Sequence, residues 1–139
     1  METRRILRER FAGQTKSLVP GEVQVESMQE KFLSKVLQSI ETHLPQESFG
    51  VNELAAEVAL SSKQLQRKIK AVTSMTANEF IQLQRLHRGR QLILKKAGTI
   101  SEIAYSVGFS SPSYFSQCFR AQFGQTPTEV SGGTPVDRT

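Results

Sequence analysis

One short pattern is written twice in this chain. ELAAEVALSS, Glu53 to Ser62, returns as EIAYSVGFSS, Glu102 to Ser111, at an offset of 49 residues. Glu53, Leu54, Ala55, Val58, Ala59, Leu60, Ser61 and Ser62 pair with Glu102, Ile103, Ala104, Val107, Gly108, Phe109, Ser110 and Ser111. One inserted residue then makes the offset 50, and Leu65, Ile69, Lys70, Ser74 and Thr76 pair with Phe115, Phe119, Arg120, Gly124 and Thr126. At 139 residues the chain has room for one compact domain. That domain must therefore be built from two copies of one supersecondary unit.

The local chemistry says what the unit is. Each copy reads as a short helix, a tight turn and a second helix, the layout of a helix-turn-helix. Ala55 and Ala104 are small enough for two helices to approach closely, and Gly108 suits the backbone reversal after the first helix of copy two. Ser61 or Ser62, and Ser111 followed by Pro112, are helix-start signals. Thr76-Ala-Asn-Glu79 and Thr99-Ile-Ser-Glu102 both fit a capping box; the first opens a helix of about 20 residues, the second opens copy two. Upstream, Phe32, Leu33, Val36, Leu37 and Ile40 form a stripe of helical period that ends near Leu44, before Pro45.

The expected fold class is all-α: two helix-turn-helix subdomains joined by a long linker helix, about seven helices in total. The first ten residues look helical and basic. We divide the chain into an N-terminal basic segment and linker over 1–27, a first subdomain over 28–75 and a linker helix over 76–97. A second subdomain follows over 98–131, then a disordered tail over 132–139.

Charge is unevenly spread along the chain. Its net charge is +5, yet residues 60–96 hold nine Lys/Arg (Lys63, Arg67, Lys68, Lys70, Arg85, Arg88, Arg90, Lys95, Lys96) against Glu79 alone. Such a segment is either a footprint for a polyanion or a solvated helix face. The second helix of each copy divides into faces. In copy one Leu65, Ile69 and Val72 turn to the core, leaving Lys63, Gln66, Arg67 and Lys70 opposite, with Ser62 at the helix start. In copy two Phe115, Phe119 and Phe123 make the buried stripe. Ser113, Ser116, Gln117 and Arg120 face out, with Ser111 and Pro112 at the start.

Short hydroxyls, amides and guanidinium groups suit a helix lying against base edges; taken alone, the copy-two face also fits an ordinary polar surface. Twenty residues give about 30 Å of rod, close to the roughly 34 Å turn of B-DNA. A rod of that length could set two recognition helices into successive major grooves, which gives the duplication a purpose.

IAYSVGFSSPSYFSQCFRAQFGQTP closely resembles the signature of AraC/XylS-type transcription regulators. Ile103, Ala104, Gly108, Phe109, Ser113, Tyr114, Phe115, Phe119, Arg120, Gly124, Thr126 and Pro127 fit that pattern. LSSKQLQRKIKAVTSMTANEFIQLQRLHRGRQLI is similar to the same family's first unit and linker helix, and together they cover about residues 29–130. The resemblance implies a bacterial domain that binds double-stranded DNA. It implies that Lys63, Gln66 and Arg67 read the first groove, Pro112, Ser113 and Gln117 the second, and that Lys70 and Arg120 contact phosphate.

The chain departs from the family pattern in places. Ser74 and Ala77 replace a common Gly and Pro, and Gly89 stands where Ala is usual, which puts the rod's stiffness in question. Val130 and Ser131 imply a short or frayed last helix. ETRRILRERF, an acidic linker and EKFLSKVLQSIE look like the junction behind a receiver domain in hybrid two-component regulators. On that reading the receiver or sensor half lies outside this chain.

Other classes find little support in the residues. The longest apolar runs fall short of a membrane span, and the charged stretch after Met1 is no signal peptide. One cysteine and two histidines make no credible metal set or internal disulfide, so the expected setting is cytoplasmic. We expect no enzyme activity and no cofactor, since FSSPSYFS lacks a nucleophile elbow and an acid–base partner. Cys118 is expected to be a half-buried thiol, His87 a solvated side chain, His43 a charge–dipole contact at a helix end, and Tyr105 and Tyr114 packing residues. The alternative function is a protein-docking module that contacts RNA polymerase or the sensor half of its parent.

Overall fold

The computed structural model describes residues 27–132. The expectations for the N-terminal helix, most of the linker and the tail therefore lie outside the described residues. Within them are seven helices and no strand. They are α1 (Met28–Thr42), α2 (Val51–Glu57), α3 (Ser62–Thr73), α4 (Ala77–Leu94), α5 (Ile100–Ser106), α6 (Pro112–Phe123) and α7 (Pro127–Val130). The all-α expectation holds, and the last helix is indeed a single short turn.

Helix starts are written by reciprocal capping. At α4 the Thr76 hydroxyl accepts from the Glu79 amide at 3.1 Å while the Glu79 carboxylate accepts from the Thr76 amide at 2.9 Å. Ser27–Glu30, Ser61–Gln64, Thr99–Glu102 and Thr126–Glu129 repeat the arrangement. Each pair satisfies two amides that the helix itself cannot. The amides of Gly50 and Thr76 hold the Glu53 and Glu79 carboxyls below the usual carboxylate range.

These caps reveal the true repeat. Ser27, Thr76 and Thr126 each open a helix, at spacings of 49 and then 50 residues. The unit is thus three helices, α1–α2–α3 and α4–α5–α6, with α7 standing where a third copy would begin. The single insertion sits in the second turn: α3 is capped by Ser61 and α6 by Ser111, so Ser110 is the extra residue.

The connecting helix therefore works twice. Its first half closes the unit before it, as Val130 of α7 closes the second. Ala77, Phe80 and Ile81 pack into a core with Leu33, Val36, Ile40, Leu54, Leu65 and Ile69. Its second half opens the next unit: Leu86 and Ile93 pack with Ile103, Val107, Phe109, Phe115 and Phe119. At 100° per residue the two sets point about 175° apart, so the two cores lie on opposite sides of one helix. That change of face removes any single apolar stripe from α4.

Gly89 does not soften this helix. A Cβ there would stand 2.9 Å from the Phe115 ring, so the glycine is what lets α6 pack directly on the α4 backbone. Eighteen unbroken residues give a rod of about 27 Å.

The two turns solve one problem differently. Ala59 (φ 59°) and Gly108 (φ 88°) are equivalent left-handed residues, as are Ser74 (φ 65°) and Gly124 (φ 77°). A left-handed backbone strains any residue with a Cβ. At Gly108 a Cβ would also collide with the Arg85 guanidinium and the Leu44 carbonyl. Chemical denaturation should show Gly108→Ala losing about 3 kcal/mol or more. Ser74→Gly and Ala59→Gly should be neutral or gain up to about 1 kcal/mol. Equal effects at Ala59 and Gly108 would contradict this account of the turns.

Candidate nucleic-acid interface

On α3, Leu65, Ile69 and Val72 are buried, which turns the opposite face outward. Lys63, Gln66, Arg67 and Lys70 on that face are all exposed. On α6, Phe115 and Phe119 are buried, Ser113, Gln117 and Arg120 are exposed, and Ser116 is half-buried. Aligned by their caps, the two helices present the same four positions: Lys63 with Ser113, Gln66 with Ser116, Arg67 with Gln117, and Lys70 with Arg120. The repeat thus delivers two equivalent faces with different chemistry. The first is cationic; the second is mostly neutral hydrogen-bonding groups.

The remaining candidates stand at the helix starts. The Ser62 hydroxyl donates to Asn52 Oδ1, tying α3 to α2. Ser111 caps α6 by accepting from the Tyr114 amide at 3.1 Å, and Pro112 occupies the first turn. Both serines and Pro112 are half-buried.

A further electrostatic feature went unread in the sequence. The first turns of α1, α2, α4, α5 and α7 each carry a glutamate (Glu30, Glu53, Glu79, Glu102, Glu129). The first turns of α3 and α6 carry none. A helix N-terminus bears a partial positive charge that an acidic side chain neutralises. In these described helices that charge is left open at the two helices bearing the candidate faces. It was legible in principle: where a glutamate holds the third helical position elsewhere, α3 has Gln64 and α6 has Tyr114.

The basic segment read from the sequence is smaller as a surface than as a sum. Arg85 is only 6% exposed and donates into the interior. Arg88 pairs with Glu41, Arg90 stacks over Phe123 and Lys68 lies over Phe32. Lys96 Nζ donates to the Ser131 carbonyl at 3.0 Å. Lys63, Arg67 and Lys70 form the outward cationic cluster on α3, with exposed Lys95 apart from them at the end of α4.

Other single residues also differ from expectation. His87 is half-buried with its ring edge against Phe123, not solvated. His43 stands at the C-terminal end of α1 as expected, stacked on Phe49 at 4.5 Å and 3.4 Å from Glu57. Tyr105 is exposed, and Tyr114 is half-exposed with its ring beside Phe109. Cys118 is half-buried as expected, and its sulfur accepts from Gln82 at 3.5 Å. Among the described residues no cluster of ligating side chains could hold a metal ion. No described helix is long and apolar enough to cross a membrane.

Residues 54–132 match the family described as "Helix-turn-helix domain". The chain is 40% identical over 129 residues to Histidine kinase P4 of Formosa agariphila, covering 93% of this chain and 9% of that protein. It is 31% identical over 101 residues to the transcriptional activator RhaS of Klebsiella pneumoniae, covering 73% of this chain and 36% of that protein. The chain thus spans a minor part of these relatives. Among solved structures, an AraC-type regulator from Chromobacterium violaceum superposes with a TM-score of 0.68 at 28% identity, over 73% of this chain and 90% of that one. The DNA-binding domain of AdpA, solved in complex with a target DNA, superposes with a TM-score of 0.65 at 26% identity, over 73% and 89%. With a helix-turn-helix family match over more than half its length and the tandem three-helix architecture, this chain belongs to the AraC-type helix-turn-helix family.

Proposed function

We propose that this chain is the DNA-reading output region of a larger bacterial transcription regulator, binding double-stranded DNA sequence-specifically through α3 and α6 in adjacent major grooves. One observation carries the reading. The repeat presents two equivalent helix faces, free of acidic residues, on the two described helices whose N-terminal charge is left open. Phosphates favour such termini, and exposed amides, hydroxyls and guanidinium groups match base edges. The AdpA domain, similar in fold, is described in complex with a target DNA.

On this reading residues 28–75 and 98–131 are the two reading units and 76–97 the connector. Lys63, Gln66 and Arg67 read the first groove; Pro112, Ser113, Ser116 and Gln117 read the second. Lys70 and Arg120 hold phosphates, with Ser62 and Ser111 at the helix mouths. The cationic first unit supplies most of the salt-dependent affinity, and the second contributes base preference. The likeness to a protein named as a histidine kinase supports a hybrid two-component parent, with sensing and phosphorylation carried elsewhere and this region working in the cytoplasm. The chain itself has no catalytic role on this reading.

Sites selected from random duplex DNA and titrated by fluorescence anisotropy test the assignment. Arg67→Ala should weaken selected-site binding by about 1–3 kcal/mol. Lys70→Ala should lower the salt slope by about one unit on any sequence. Gln117→Ala should mainly narrow the gap between selected and random duplexes. Equal, small losses on both kinds of DNA from all three variants would count against DNA reading by these helices.

A further inference from the structure

The two reading units barely touch except through α4. Among the described residues, the extensive helix packing is within each unit or against that helix. One side chain bridges the remaining gap. Arg85, midway along α4, donates from Nη2 to the Gln46 and Phe49 carbonyls at 3.0 and 2.9 Å, and from Nη1 to the Leu44 carbonyl. Those three carbonyls belong to the segment that leads into α2. Nη1 also donates to the Val107 carbonyl at 2.9 Å, at the C-terminal cap of α5. Val107 begins the turn that delivers α6, and the α2 it anchors on the other side packs against α3. One planar fork therefore grips the approach to each reading helix.

We propose that Arg85 is a positioning residue that fixes the setting of α6 relative to α3, and with it the half-site spacing that the protein accepts on DNA. The geometry requires a guanidinium. Its donors lie in one rigid plane, whereas a lysine ammonium is a single mobile point. Gly108 leaves the space through which the fork reaches both sides. The two apolar cores are built by other side chains. Loss of the fork would strip four backbone carbonyls of a donor and release the angle between the cores.

The first arm of the test needs no DNA. Spin labels placed at Ala71→Cys and Ala121→Cys, exposed equivalent positions on α3 and α6, in a Cys118→Ser background, report the distance between the helices. The distribution should be narrow with Arg85 and at least twice as wide in Arg85→Met. An unchanged width overturns the proposal.

The second arm rests on the DNA-reading assignment. Duplexes carrying the two half-motifs at varied separations are titrated, beside one carrying a single half-motif. Arg85→Met should lose tenfold or more at the optimal separation, less than threefold on the single half-motif, and show a flattened spacing profile. Equal losses on every duplex, or an unaltered profile, overturn the proposal. Should the parent chain show no preference among duplexes while the label widths differ as expected, it is the DNA assignment that fails. Arg85→Lys is scored in the same way if the methionine variant does not fold. Failure of both to fold assigns Arg85 to stability alone and overturns the positioning role.

Discussion

A guanidinium held between four backbone carbonyls is the contact on which the arrangement of this molecule depends. Burying a charge is costly unless its hydrogen-bonding capacity is met. Here backbone carbonyl oxygens meet it in place of a carboxylate. Burial pushes the Arg85 group below its ordinary pKa while Glu47 opposes that shift, and arginine stays charged throughout. The bargain works in both directions. Leu44, Gln46, Phe49 and Val107 carbonyls at helix ends and in a connecting loop need donors, and the fork supplies them.

Arg85 also shows how a repeat is adapted rather than copied. At the 49-residue offset its counterpart in α1 is Val36, a wholly buried core residue. Ile40 is likewise replaced by Gly89, and Leu37 by Leu86. The opening helix of the second unit must pack against its own core and also join the first. Leu86 keeps the core role, Gly89 admits Phe115, and Arg85 turns back toward the neighbouring unit. Of three equivalent apolar positions, one was thus given over to the joint and one to close packing with Phe115.

This adaptation explains what could and could not be read from the sequence. The second helix of each copy was legible because both faces obey one period: Leu65, Ile69 and Val72 against Lys63, Gln66, Arg67 and Lys70. The capping boxes at Thr76–Glu79 and Thr99–Glu102 were legible because they are local, while those at Ser27, Ser61 and Thr126 went unread. The α4 helix was only half legible. Its length and start could be read, but its core positions change sides near Arg85, so no single stripe signalled burial. The same change of face misled the charge count. Arg85, Arg88 and Arg90 look alike in sequence, yet one enters the interior, one meets Glu41 and one lies on Phe123. Only three-dimensional packing separates them from Lys63, Arg67 and Lys70. Of the two serines read as helix-start signals, Ser61 is the cap of α3 and Ser62 its first residue.

The two copies also divide strain and charge unequally. The first unit holds Ala59 and Ser74 in left-handed backbone, where the second has Gly108 and Gly124, at a cost of roughly 1 kcal/mol each. It also gathers Lys63, Arg67 and Lys70 on one helix with no acid among them. Both features oppose folding. They are offset by the larger of the two cores, in which α1 contributes Leu33, Val36 and Ile40, the segment after it Leu44, and α4 adds Phe80 and Ile81. Among the described residues the second unit is closed at its far end by α7, with Pro127 and Val130 where α4 has Ala77 and Phe80. It is correspondingly built with less strain, from glycine turns and a run of contacting rings, Phe109, Phe115, Phe119 and Phe123. Each unit therefore matches its internal burden to the helices available to cover it. Here the copy that carries more strain and charge is the one that two long helices, α1 and α4, enclose.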